Sequence, residues 1–318
     1  MATSEIDGNL LQEIEALATR LAGEAGRTLL AHFGQRLTVD FKEKGSRAPV
    51  TEVDRLAEEH LRAGIAARFP DHSIVGEEQA PLLCAAPFVW VLDPLDGTTN
   101  YINGLPFFAV SVGVLWRGRP VAGAICVSVA HSQGPGVYHA RRGGGAYLDG
   151  ERLPVAATPD QGRLAVLPAR VRRALRRDDV LAWESRTLGS IAAEMAYVAS
   201  GVFQYAYFGA PRAWDVAAGL VLLREMERAA YTLDTASGDA QAHRRRRWAP
   251  MEQFPCAALD DVQRWSAPVL AGEPAAVERV LGLLQQRSSP WGALTGWLRR
   301  WRDRHGKAHP GQRRGDKP

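Results

Sequence analysis

The stretch WVLDPLDGTTNY at residues 90–101 holds the groups best suited to chemistry. An apolar run ends at Asp93, Pro94 interrupts it, Asp96 follows three residues after Asp93, and Gly97, Thr98 and Thr99 open a helix. Two carboxylates this close at a strand end repel each other at low dielectric, and a bound cation relieves the repulsion. Carboxylate oxygens are hard donors that select Mg2+, Mn2+ or Ca2+ over soft-ligand metals. The backbone N–H groups that begin a helix after Gly97 suit a phosphate oxygen. Metal and anion cradle together point to phosphate-ester chemistry, although an Asp-rich turn capped by its own side chains would show the same spacing.

Further acidic blocks accompany this one. Thr51-Glu52-Val53-Asp54 opens a helix, Gly76-Glu77-Glu78 closes a short strand, and Trp214-Asp215-Val216-Ala217-Ala218-Gly219 lies far downstream. Asp54 falls in the first turn of its helix, where an acid also suits the helix dipole without any catalytic duty. The D-x-D-G-T signature of haloacid dehalogenases spaces its aspartates by two, whereas Asp93 and Asp96 are three apart. A nucleophilic aspartate is therefore not expected.

These four blocks, in this order, resemble the inositol monophosphatase family of Mg2+-dependent, lithium-sensitive phosphatases, with Gly189-Ser190 and Val198-Ala199-Ser200-Gly201 as a fifth match. The similarity covers residues 8–285. It implies a layered αβαβα sandwich of the mixed α/β class, two or three Mg2+ ions, and a homodimer. It further implies that Glu77, Asp93 and the carbonyl of Leu95 hold one Mg2+, and that Asp93, Asp96 and Asp215 hold a second. Thr98 and Asp54 would orient and deprotonate the attacking water, and the amides of Gly97 and Thr98 would hold the phosphate. One metal would then lower the pKa of the water while the other stabilises the leaving alkoxide.

Departures from the family pattern bear on the substrate. Inositol-selective members carry an acid seven positions before the W-D aspartate, where this chain has Phe208. A site without that hydroxyl acceptor discriminates weakly among polyols. The family's E-A-G-G reads Glu225-Met226-Glu227-Arg228 here, an altered turn away from the ligands. A small phosphomonoester is thus the expected substrate class, with 3′-phosphoadenosine 5′-phosphate, fructose 1,6-bisphosphate and histidinol phosphate as alternatives to inositol phosphate. The wording of residues 48–54 is similar to the nucleotide-phosphate branch. Arg212 and Arg186 are candidates for a second phosphate, or plain surface arginines. Lys42 and Lys44 stand out because the chain has only four lysines, and either is a candidate for a loop over the site or a solvated side chain.

The elements that must position these groups follow from periodicity. Leu10, Leu11, Ile14, Leu17, Ala18, Leu21, Ala25, Leu29 and Leu30 repeat at helical spacing, and Leu56, Leu61 and Ile65 follow the Thr51 cap until Pro70. Short apolar runs HSIVG, PFVWVLDP, FAVSVGVLW, PVAGAICVSVA and GVYHA, with a turn at Arg117-Gly118-Arg119-Pro120, predict an antiparallel-rich sheet. Helices over residues 190–200 and 214–228 flank a strand at QYAYF. An arginine-rich shift near residues 164–177 divides an N-terminal half, 1–165, from a C-terminal half, 166–287, and 285–290 reads as a linker into a tail, 288–318.

The chain has 318 residues with 46% hydrophobic content, and disordered, collagenous and membrane-spanning classes are excluded by composition. The net charge of +4 is carried by the tail, since residues 299–318 hold a net +6 and the rest −2. Nucleic acid is therefore not an expected partner. Trp291, Leu294, Leu298 and Trp301 form a stripe with arginines interleaved, which suits an anionic surface, a partner, or the protein's own body. A second class of function follows, a phosphatase-like scaffold that binds through its tail. The full set of carboxylates argues for the enzyme. Cys84, Cys126 and Cys256 are far apart and odd in number, and no secretion signal is evident, so a reducing cytoplasm is expected. The run Arg244 to Arg247 reads as an exposed loop.

Overall fold

The computed structural model describes residues 6–35, 39–41, 49–84, 86–131, 134–155, 164–174, 184–233, 248–255 and 259–288. Lys42, Lys44, Cys256, the basic run at 244–247 and the tail from 289 lie outside them. Helix α1 (Gly8–His32) begins at Asp7, whose carboxylate accepts the amide of Asn9 at 2.9 Å. A hairpin of β1 (Val39–Phe41) and β2 (Pro49–Thr51) leads into α2 (Glu52–Arg68). Strands β3 (Ser73–Gly76), β4 (Phe88–Asp96), β5 (Ala109–Trp116), β6 (Arg119–His131), β7 (Gly134–Arg141), β8 (Gly145–Leu148) and β9 (Glu151–Arg152) then lie side by side in chain order. β3 and β4 run parallel and the other neighbours antiparallel, with α3 (Thr98–Ile102) between β4 and β5.

A second sheet orders β11 (Glu184–Arg186), β10 (Leu164–Val166), β12 (Phe203–Phe208), β15 (Val269–Gly272), β13 (Ala229–Leu233) and β14 (Trp248–Pro250). The helices of this part of the chain are α4 (Ala169–Ala174), α5 (Ile191–Ala199), α6 (Ala213–Glu225), α7 (Leu259–Arg264) and α8 (Pro274–Ser288). The hydrophobic contacts stack these elements in five layers. Phe88, Trp90 and Leu92 pack with Ile14, Leu21 and Leu61 of α1 and α2, while Val89 and Val91 point the other way toward α5 and α6. That alternation is the period of two of a strand buried on both faces. The α5/α6 layer also receives Val166, Phe203 and Ala271 of the second sheet, whose far face packs Tyr205 and Leu270 against Val277 and Val280 of α8. The architecture is an αβαβα sandwich of the mixed α/β class.

α6 sits directly on the first sheet because glycines make room for it. A Cβ on Gly113 would lie 2.6 Å from Cβ of Ala217, and one on Gly123 would lie 2.6 Å from Cα of Ala218. The small residues of Trp214-Asp215-Val216-Ala217-Ala218-Gly219 are therefore a packing requirement as well as a motif.

Three expectations are corrected. Residues 285–288 are the last turn of α8 rather than linker, because the spacing of Val277, Val280, Leu281 and Leu284 carries the helix on. The helix expected to reach Arg228 stops at Glu225, where Met226 and Glu227 turn the chain. The hairpin turn is tighter than Arg117 to Pro120, since Arg117 and Gly118 alone adopt positive φ and β6 already includes Pro120. Among the described residues, no helix is long and apolar enough to cross a membrane.

Candidate active site

The acidic groups meet where β4 ends. Residues three apart on a regular strand face opposite sides of the sheet. In β4 the register shifts between Asp93, opposite Ser111, and Asp96, opposite Ala109, so three steps on β4 span two on β5. This bulge around Pro94 and Leu95 turns both carboxylates to one side. Asp215, in the first turn of α6, joins them, and carboxylate oxygens of Asp93, Asp96 and Asp215 lie within 4.8 Å of one another.

Each carboxylate is held by its surroundings. Asp93 accepts the amide of Leu95 at 3.0 Å, and Asp215 accepts the amide of Arg212 at 2.8 Å. Asp96 accepts the hydroxyl of Ser190 at 2.7 Å and the amide of Ala192 at 2.5 Å, so the start of α5 is fastened to the end of β4. Glu77 continues β3 past its end, with its amide on the carbonyl of Leu92 at 3.1 Å, and its side chain is hydrogen-bonded to Asp93.

Asp54 and Thr98 complete the group. Thr51 and Asp54 form a capping box, in which Oδ2 of Asp54 accepts the amide of Thr51 at 2.9 Å and also its hydroxyl. Oδ1 of Asp54 is left facing Thr98, whose hydroxyl lies 3.4 Å from it and 3.0 Å from the carbonyl of Leu95. Gly97 turns the chain between Asp96 and Thr98 at φ 97°, and a Cβ there would also lie 3.1 Å from the carbonyl oxygen of Phe107. The left-handed φ favours glycine, and the close carbonyl adds to that preference.

Electrostatics mark the cluster as one that wants a cation. Burial, then the carboxylates of Glu77, Asp96 and Asp215, hold the Asp93 carboxyl well above the ordinary range. Burial and then Asp96 do the same to Asp215. Asp96 is pushed up to about 7 by burial, against the opposing pull of Ser190 and Ala192. Burial raises Asp54 as well, against its hydrogen bonds to Thr51.

Of the other candidates, Phe208 is packed in the middle core and offers no polar atom. Arg212 is exposed, with Nη1 3.4 Å from the carbonyl of Arg264, while Arg186 is on β11 and paired with Glu184 at 2.9 Å. Sequence reasoning gave no role to Ser190 or to Glu194, which is buried on α5 and accepts the amide of Leu188 at 2.6 Å. Burial raises the Glu194 carboxyl to about 7. Asn100 grips the same segment through the carbonyl of Leu188 at 2.7 Å. The legible signal was an acid at residue 194 within the apolar run of α5.

Residues 10–243 match the model of the inositol monophosphatase family. Over 228 residues the chain is 35% identical to a protein of Aquifex aeolicus named fructose-1,6-bisphosphatase/inositol-1-monophosphatase, covering 68% of this chain and 84% of that one. It is 33% identical over 230 residues to the Nus factor SuhB of Pseudomonas aeruginosa, covering 68% and 83%. Among solved structures, the extragenic suppressor protein suhB of Bartonella henselae has a TM-score of 0.67 at 23% identity, covering 86% of this chain and 99% of that one. An IMPase/NADP phosphatase complexed with Mg2+ and phosphate also reaches 0.67, at 20% identity over 86% and 96%. With the match spanning the blocks that build the acidic cluster, the chain belongs to the inositol monophosphatase family.

Proposed function

We propose that the protein is a Mg2+-dependent phosphatase that hydrolyses a small phosphomonoester by direct attack of water. The observation that carries this reading is the convergence of Asp93, Asp96 and Asp215 within 4.8 Å, beside the Asp54–Thr98 pair. The donors fit the ion, because the cluster is all oxygen and buried carboxylates so crowded need a positive charge among them. Glu77, Asp93 and the Leu95 carbonyl would hold one Mg2+, and Asp93, Asp96 and Asp215 another. When bound, Mg2+ lowers the pKa of water and neutralises charge on phosphoryl oxygens.

The chain's own residues supply the rest. The hydroxyl of Thr98 orients the water, and Oδ1 of Asp54, the oxygen not committed to Thr51, takes its proton. The amides of Gly97 and Thr98 receive the phosphate. Ser190, Ala192 and Arg212 hold Asp96 and Asp215 in place through their hydrogen bonds.

The substrate is a small phosphate ester selected weakly by its polyol hydroxyls, since Phe208 presents no acceptor. Relatives bearing the names fructose-1,6-bisphosphatase/inositol-1-monophosphatase and IMPase/NADP phosphatase support a broad class. The relative named Nus factor SuhB favours a second reading, a phosphatase-like scaffold that binds a partner. The complete acidic set favours catalysis. Phosphate release with Mg2+ or with chelator, over inositol 1-phosphate, 3′-phosphoadenosine 5′-phosphate, fructose 1,6-bisphosphate and histidinol phosphate, tests both readings. No release from any substrate would leave the scaffold.

A further inference from the structure

Glu58 is fully buried on the inner face of α2, one turn after Asp54, among Val53, Ala57 and Leu61. A carboxylate on an apolar helix face costs folding free energy unless it is paired and hydrogen-bonded. Its partners lie on one loop and one arginine. Glu58 accepts the amides of Glu78 at 2.8 Å and Gln79 at 3.1 Å, and Nε of Arg62 at 2.7 Å. Nη2 of Arg62 in turn donates to the carbonyl of Gln79 at 3.2 Å. The two side chains thus clamp the backbone just after Glu77. Gly76, on the other side of Glu77, gives way to the same carboxylate, because a Cβ there would overlap Oε1 of Glu58.

We infer that Glu58 is the positioning residue for Glu77, fixing its carboxylate against Asp93. Asp54 and Glu58 are four residues apart on the helix, about 6 Å along its axis. α2 therefore sets the spacing between the group that would take the water's proton and the loop that would supply a metal ligand. Surface charge alone does not explain Glu58, since a helix face has no need of a buried acid that reaches across to backbone amides 20 and 21 residues away.

The inference rests on the phosphatase reading, and calorimetric titration of Mn2+ into the full chain separates the two. Glu58→Gln keeps the shape but replaces one accepting oxygen with a donor. It is expected to weaken Mn2+ binding by about ten- to hundredfold, the usual effect of disturbing a ligand's support. Val277→Ala in the distant α8 is expected to lower Tm while leaving Mn2+ affinity within roughly twofold, as remote sites act independently. If Glu58→Gln lowers Tm but keeps wild-type Mn2+ affinity, Glu58 is only structural and the inference fails. Should Glu58→Gln not fold, Glu58→Asp decides by the same readout. A wild-type chain that binds no Mn2+ and releases no phosphate overturns the phosphatase reading, and the inference with it.

Discussion

The hydroxyl of Ser111 donates to the carbonyl of Trp214 at 2.9 Å, deep between β5 and the first turn of α6. Ser111 is also the ladder partner of Asp93, and Trp214 precedes Asp215. One buried hydrogen bond therefore joins the strand pair that presents Asp93 to the helix that presents Asp215.

Ser111→Ala leaves the Trp214 carbonyl without this donor, a loss of about 1–3 kcal/mol for a buried pair. Tm should fall, and the Mg2+ concentration for half-maximal phosphate release should rise by about tenfold. Unchanged Mg2+ dependence at reduced Tm would show that the bond supports folding alone.

Asp93→Asn should abolish phosphate release and the Mg2+-induced rise in Tm, with an unchanged circular dichroism spectrum. The substitution removes a buried charge that the metal-free protein holds at a cost, as the raised Asp93 carboxyl shows. The metal-free variant should therefore melt no lower than the wild type at pH 8. Normal turnover in this variant would overturn the ligand assignment.

The pH dependence of stability should differ with and without metal. Asp96 and Glu194 are raised to about 7, and Asp93 and Asp215 lie well above the ordinary range. Folded-state values above the unfolded ones mean that the folded chain binds more protons, so stability is full below the ordinary carboxylate range and is lost as pH rises through about 7. Metal-free protein should thus melt lower at pH 8 than at pH 5.5. Mg2+ competes with those protons, and its stabilising effect should grow over the same interval. Melting curves with chelator and with Mg2+ at the two pH values check both statements.

Glu227→Gly should stabilise the fold. Glu227 has φ 54° where the chain leaves α6, and the amide of Arg228 reaches back to the carbonyl of Leu223 at 2.8 Å. That left-handed position costs an L residue about 1 kcal/mol that glycine does not incur. A rise in Tm with unchanged turnover is expected.

Removal of residues 299–318 takes away a net +6 and none of the acidic blocks. Turnover on a soluble substrate should stay close to that of the full chain. A large loss would place the tail in the function of the site.

The candidate site was legible in the sequence where it is local. The capping box at Thr51 and Asp54, the turn at Gly97 and the acids of WVLDPLDG follow from residue type and spacing. The bulge that brings Asp93 and Asp96 to one side was not legible, because it depends on the register of β4 against β5. Glu58 and Glu194 show the same limit. Each is an acid on the buried face of its helix whose purpose depends on the loop it grips. Residues 285–288 misled for a different reason, since their polar composition suits a linker while α8 tolerates polar residues in its last turn.

The helix layer gripped by a sheet on each face has an evolutionary consequence. α5 and α6 carry the groups that seat Asp96 and Asp215, and packing on both sides resists hinge motion between the sheets. Arg212 is exposed and it is its backbone amide that holds Asp215, so its side chain can change without loosening that carboxylate. The groups that fix the acidic cluster are thereby kept apart from side chains that can vary.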